Sequence, residues 1–127
     1  MVLLVTGVAG FVGAHVAQVL LARGERVVGL DNLNSYYSPA LKQARLARLQ
    51  QQAGFSFHQL DVSNPEALEA LRQAEPDIRG IFHMAAQAGV RYSLKDPYVL
   101  AGPHVCGHVA VLEFARRLRR LDPLVYA

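Results

Sequence analysis

Thr6-Gly7-Val8-Ala9-Gly10-Phe11-Val12-Gly13 is the stretch whose reading decides the fold. Its glycines are spaced G-x-x-G-x-x-G. Before it stands Val2-Leu3-Leu4-Val5, a short continuous apolar run of the kind expected of a strand buried on both faces. After it a helix is predicted from Phe11 to about Arg23, with Val12, Val16, Val19 and Leu20 at helical spacing and Gly24 as the C-terminal cap. Gly7 suits a tight turn out of the strand, where a residue free of Cβ constraints is needed. Gly10 lets a pyrophosphate approach the backbone, and Gly13 lets the helix pack closely on the sheet. The N–H groups at the helix start, with the positive end of its dipole, would hold phosphate charge.

Working outward, strands and helices alternate, which builds a parallel sheet covered on both faces. Arg26 to Leu30 reads as a second strand stopping at Asp31, and Phe55 to Leu60 as a third. Ile78 to Met84 reads as a fourth, weakened by Gly80, and Leu124-Val125-Tyr126 begins a fifth. Between them, Ser38 as N-cap and Pro39 at the first position open a helix to about Gln52. Ser63 and Glu66 have capping-box spacing for a helix to about Ala74. A long helix is expected from Val105 to Leu121, with a looser helical stretch leading in from Asp96. The fold class is therefore α/β, a doubly wound parallel sheet of the Rossmann type with strand order 3-2-1-4-5. It is truncated after the start of the fifth strand, so residues 1–127 are expected to be the N-terminal portion of a dinucleotide-binding domain. Asp31 follows Gly13 by 18 residues, close to the acid about 20 residues on that such a fingerprint requires. Its carboxylate can accept from both hydroxyls of an adenine ribose, and its charge would repel a 2′-phosphate, which favours NAD over NADP. A structural turn with a loop aspartate is the alternative the residues leave open.

Composition narrows the class further. The 127 residues are 52% hydrophobic and 18% charged, enough to bury a core and unlike a disordered chain. No apolar run approaches the roughly 20 residues of a membrane span, and no basic segment or cleavage site follows Met1. One cysteine, Cys106, allows no internal disulfide and fits a cytoplasmic location. Net charge is +3, with four arginines gathered in Arg116-Arg117-Leu118-Arg119-Arg120. Cations in the last turn of a helix ordinarily complement its dipole, and a nucleic-acid binder shows a wider basic footprint. Lys42, Arg45 and Arg48 form one stripe on the second helix, expected to be a solvated face.

With these residues in hand, the chain resembles the extended short-chain dehydrogenase/reductase family, and within it the NAD-dependent nucleotide-sugar epimerases and dehydratases. The resemblance is carried by Thr6-Gly7-x-x-Gly10-x-x-Gly13, Asp31-Asn32-Leu33-Asn34, Asp61-Val62 and His83-Met84-Ala85-Ala86-Gln87-Ala88-Gly89-Val90-Arg91-Tyr92-Ser93. Residues 34–42, with Ala44-Arg45-Leu46, are similar to UDP-glucuronate 4-epimerases in particular. The resemblance implies that Gly7, Gly10, Phe11, Val12, Gly13, Asp31 and Asn32 bind NAD. It implies that Asp61 and Val62 lie along the adenine, and that Met84, Ala85 and Ala86 line the cofactor. Gln87, Arg91 and Ser93 would face the nicotinamide and a UDP-sugar substrate, Arg91 being the candidate partner of a sugar carboxylate. A homodimer is implied on the same ground, with no nucleic acid and no membrane as partner.

Two departures qualify that implication. The family's acid–base chemistry uses a Ser/Thr and a Tyr-x-x-x-Lys pair, and no Tyr-x-x-x-Lys occurs here; Tyr92-Ser93-Leu94-Lys95 is one residue too short. The chain as given is therefore expected to contain no catalytic residue and to be inactive alone. In place of the family's Asp-Ser/Thr-Asn stand Gly102, Pro103 and His104. That change supports a second reading, a non-catalytic dinucleotide-binding remnant acting as sensor or assembly partner. His104, Cys106 and His108 invite a metal reading, but on a helix Cys106 points about 200° from His104, so ordinary helix residues and no metal are expected. His83 either shapes the cofactor pocket or is a hydrogen-bonded structural histidine.

Overall fold

The computed structural model describes residues 1–33, 38–85 and 105–127. Five parallel strands form one sheet: β1 (Val2–Thr6), β2 (Arg26–Asp31), β3 (Phe55–Gln59), β4 (Ile78–His83) and β5 (Leu124–Tyr126). Their order is β3-β2-β1-β4-β5, the order expected from the sequence. The strands are joined through α1 (Phe11–Ala22), α2 (Pro39–Gln50), α3 (Pro65–Ala74) and α4 (Gly107–Arg117). Successive side chains of a strand point to opposite faces, and the core divides accordingly. Leu3, Val5 and Val27 pack on Ala14, Ala17 and Leu20 of α1 and Leu46 and Leu49 of α2. Leu4, Val28, Leu30 and Ile81 pack on Leu68 and Leu71 of α3 and Val111 and Phe114 of α4. The centre of the sheet is thus buried on both faces, which is why β1 reads as an almost unbroken apolar run, whereas the edge strand β3 carries Ser56, His58 and Gln59.

Several local expectations are corrected. On α1 the buried side is Gly13, Ala14, Ala17 and Leu20, whereas Val12 and Val19 stay more than half exposed. Small residues face the sheet because the helix approaches it closely, so the valines mark the outer side. Ser38 makes no side-chain cap on α2; its carbonyl accepts from Leu41 N–H instead. The capping residue of α3 is Asn64, one place later than expected, whose Oδ1 accepts from the Glu66 and Ala67 N–H groups at 3.1 and 3.2 Å. Ser63 is unavailable for that work because its hydroxyl donates to Asp61 Oδ1 at 2.6 Å. Gly80 does not simply weaken β4. The pairing of β1 with β4 slips between Val2 and Leu3, and a Cβ on Gly80 would lie 2.6 Å from Leu3 Cδ2. Gly80 makes room for a core leucine.

The last helix is shorter than expected because Leu118 already has extended backbone and turns the chain toward β5. The stretch from Asp96 lies outside the described residues. Arg116 and Arg117 do stand in the last turn of α4. Arg116 pairs with Glu113, and Arg117 reaches Glu69 of α3 at 3.3 Å. Hydrogen bonding, first from Arg72, holds the Glu69 carboxyl down to about 2. Glu113 is likewise lowered, chiefly by Arg116. These are exposed pairs that tie helix surfaces together.

Leu4 sits at the centre of the sheet with no exposed surface. Leu4→Ala is expected to cost about 2–5 kcal/mol in urea unfolding; a loss below about 1 kcal/mol would contradict this packing.

Candidate functional site

The carboxyl ends of β1, β2, β3 and β4 share one edge of the sheet, and most of the sequence-selected residues that the structure describes gather there. β1 ends in a turn in which Gly7 has φ +66°, a region that L side chains rarely adopt. Space enforces the same choice: a Cβ on Gly7 would lie 2.8 Å from Ala85 Cα and 2.9 Å from Ala85 N, at the end of β4. The Gly10 N–H closes the turn on Gly7 O at 3.0 Å. Gly13 differs from expectation. Rather than easing the helix onto the sheet alone, it clears the turn itself, since a Cβ there would sit 2.0 Å from Gly7 O. Gly10 is the N-cap of α1, and the first helical bond runs from Ala14 N–H to Gly10 O at 2.9 Å. The amides of Phe11, Val12 and Gly13 precede it and have no helical acceptor. They form the cradle of N–H groups, at a positive dipole end, that an anion would fill.

Asp31 closes β2 beside this turn and is 6% exposed. Its Oδ2 accepts from Ala9 N–H at 3.1 Å and its Oδ1 from Leu33 N–H at 2.7 Å. The carboxylate therefore fixes the glycine loop as well as facing the site. A carboxylate offers about four lone-pair positions, so capacity for a hydroxyl donor remains.

Lys42 Nζ lies 3.7 Å from Asp31 Oδ1 and the lysine is 8% exposed. This corrects the expectation of a solvated stripe on α2. Arg45 also turns inward, its Nη1 donating to Ala9 O at 3.3 Å and its guanidinium lying 5.9 Å from the centre of the Phe11 ring. Leu46 and Leu49, buried in the core, follow Lys42 and Arg45 by four residues each. That spacing places both cations on the core-bordering face and was the sequence signal for it. Asp31 is accordingly a paired charge, a partner the sequence reading did not identify.

Asp61, after β3, is exposed and caps its own turn by accepting from Ser63 N–H at 2.9 Å. Val62 is buried with the core that includes Leu68. Asn32 is exposed at the end of β2. Met84 and Ala85 follow β4, their N–H groups both donating to Thr6 Oγ1 at 3.0 Å. Thr6 was not singled out for a role of its own, yet it joins the ends of β1 and β4. Ala86, Gln87, Arg91, Ser93 and the Gly102-Pro103-His104 segment lie outside the described residues. Among the described residues no three His, Cys, Asp or Glu side chains come together to hold a metal, and none of their helices is long and apolar enough to cross a membrane.

Comparisons with known proteins agree with this geometry. The family model described as GDP-mannose 4,6 dehydratase matches residues 4–125. A UDP-glucuronate 4-epimerase of Thermodesulfobacterium geofontis is 42% identical over 89% of this chain and 35% of its own length. UDP-glucuronate 4-epimerase 4 of Arabidopsis thaliana is 40% identical over 98% of this chain and 28% of its own length. Among solved structures, the UDP-glucuronic acid 4-epimerase of Bacillus cereus in complex with UDP-glucuronic acid and NAD superposes with a TM-score of 0.88. That chain is 33% identical, the match covering 99% of this chain and 39% of it. The chain thus spans roughly a third of the length of such relatives.

Two glycine substitutions separate crowding from backbone strain. Gly13→Ala, forced against Gly7 O, is expected to cost about 3 kcal/mol or more in urea unfolding. Gly24→Ala, at φ +84° with nothing within 4 Å of the added carbon, is expected to cost only about 1–2 kcal/mol. Equal costs would contradict the crowding at Gly13.

Proposed function

Because the chain belongs to the GDP-mannose 4,6 dehydratase family, among the nucleotide-sugar epimerases of the extended short-chain dehydrogenase/reductase type, we propose that it is the NAD-binding N-terminal portion of a UDP-sugar 4-epimerase, with UDP-glucuronate the favoured substrate. The observation that carries this reading is the side-chain-free cradle of Gly7, Gly10 and Gly13 at the start of α1, locked to Asp31 through Ala9 N–H. When bound, NAD supplies a hydride acceptor that can oxidise a sugar carbon and later return the hydride. The chain's own residues hold and orient it. The Phe11, Val12 and Gly13 amides face the pyrophosphate, with Arg45 adding positive charge beside Ala9. Asp31 and Asn32 receive the adenine ribose, and Lys42 limits the charge that Asp31 presents there. Asp61 and the backbone of Val62 border the adenine. Met84 and Ala85 line the cofactor, a role also assigned to Ala86, and Gln87, Arg91 and Ser93 are the residues assigned to the nicotinamide and sugar.

Proton transfer is a different matter. The 127 residues hold no Tyr-x-x-x-Lys, so no turnover is expected from this chain alone. A cytoplasmic location and a homodimer belong to the same proposal. The dimer is supported by the exposed Val105, just before α4, and Val109 and Leu112 on it, Val105 and Val109 lining a cavity of about 500 Å³ between α3 and α4. The Gly102-Pro103-His104 departure supports the alternative, a non-catalytic dinucleotide sensor or assembly partner.

Calorimetric titration tests the cofactor directly. NAD is expected to bind more tightly than NADP, and Asp31→Ala to weaken NAD by about tenfold or more, as loss of a charged hydrogen-bond acceptor does. Tighter binding of NADP, or an Asp31→Ala protein with unchanged NAD affinity and intact circular dichroism, would overturn the assignment.

A further inference from the structure

His83 ends β4 and stands in register with Thr6, the last residue of β1. Both are buried, Thr6 completely and His83 to within 6%. Thr6 Oγ1 accepts from two consecutive amides, Met84 N–H and Ala85 N–H, each at 3.0 Å. It lies 2.7 Å from His83 Nδ1. A hydroxyl has two lone pairs and one hydrogen. With both lone pairs committed to amides, the hydrogen goes to His83 Nδ1, which must then be the unprotonated nitrogen. The imidazole is fixed as its neutral Nε2–H tautomer. The two amides matter because Ala85 forms the wall against which Gly7 turns, at 2.8 Å from a Cβ that Gly7 lacks.

We propose that His83 is a positioning residue for the glycine turn. Its neutral Nδ1 takes the Thr6 hydroxyl hydrogen, which aims the Thr6 lone pairs at Met84 and Ala85. Protonation of His83 undoes that arrangement. An Nδ1–H then points at an oxygen whose lone pairs are already used, so three donors compete for two acceptor positions, and the Thr6 hydrogen loses its acceptor. The hold on the Met84–Ala85 amides loosens, and with it the wall behind Gly7.

Among the described residues, titratable groups approach His83 from two neighbouring elements. From α4, His108 lies with its ring 5.5 Å from that of His83, and Tyr126 of β5 meets His108 edge-on at 5.1 Å; β1 contributes the neutral Thr6. A charge on one of the two histidine rings would oppose a charge on the other. The consequence for dinucleotide affinity rests on the proposed function, but the latch itself does not.

Nuclear magnetic resonance on the full 127-residue chain tests the latch without any ligand. At about pH 8, His83 is expected to show the Nε2–H tautomer. The Met84 and Ala85 amide resonances are expected to move together with His83 protonation as pH falls to about 5.5. His108→Gln should leave that coupling in place. His83→Asn, whose Oδ1 can stand in for Nδ1 but does not titrate, should abolish the pH dependence; His83→Phe should leave both amides displaced at every pH. An Nδ1–H tautomer at high pH, or amides that ignore His83 protonation in the unmodified chain, would overturn the proposal even if the variants fail to fold.

NAD titration adds the second readout. Its dissociation constant is expected to rise about three- to tenfold over the same pH interval, the range set by one weakened hydrogen bond, and to stay flat in His83→Asn. Absence of NAD binding at every pH would count against the dinucleotide site alone, while the amide titration still decides the latch.

Discussion

Gly7 is enclosed by backbone on two sides, and the rest of the structure is arranged around that enclosure. Ala85 at the end of β4 stands where a Gly7 side chain would begin, and α1 brings Gly13 so near that its own Cβ would strike the Gly7 carbonyl. A parallel sheet positions both approaches, because β1 and β4 are neighbours and end together at Thr6 and His83. Close packing of small residues along α1 follows from the same demand. The helix start then presents its unpaired amides at the sheet's carboxyl edge, where open α/β folds bind ligands.

Charge completes what backbone geometry begins. Asp31 anchors the loop through the Ala9 and Leu33 N–H groups, and a ribose contact is the second purpose proposed for it. A buried carboxylate of this kind needs compensation, and Lys42 supplies it from α2. Arg45, three residues on, reaches the carbonyl of Ala9 in the same loop. Two cations from one helix thus bracket the glycine loop, and the proposed selectivity for ribose over 2′-phosphate would rest on an ion pair rather than on a lone negative charge.

Much of this was legible in the residues. Continuous apolar runs identified β1 and β2, and the alternation of elements together with the glycine fingerprint pointed to the strand order observed. Gly7, Gly13 and Asp31 stood out because an ordinary turn does not need that glycine spacing together with an acid closing the next strand. What escaped was whatever depends on contacts distant in sequence. The inward turn of Lys42 and Arg45 requires knowing that α2 packs beside the β1–α1 loop. The cap of α3 moved from Ser63 to Asn64 because Asp61 captures the serine hydroxyl. The valines of α1 misled because helical spacing identifies a face without saying which face is buried. Thr6 and His83 are 77 positions apart, and only the pairing of β1 with β4 makes them partners.

The relatives extend well beyond the segment matched here, and the acid–base pair of their chemistry has no counterpart in these 127 residues. On the proposed reading, this chain supplies the cofactor-holding part. A crystal structure of the chain grown with NAD tests that claim most directly. The predicted result is a pyrophosphate against the Phe11, Val12 and Gly13 amides and an adenine ribose hydrogen-bonded to Asp31. A dinucleotide seated elsewhere, such as between α3 and α4, or an unfilled glycine cradle at saturating NAD, would contradict it.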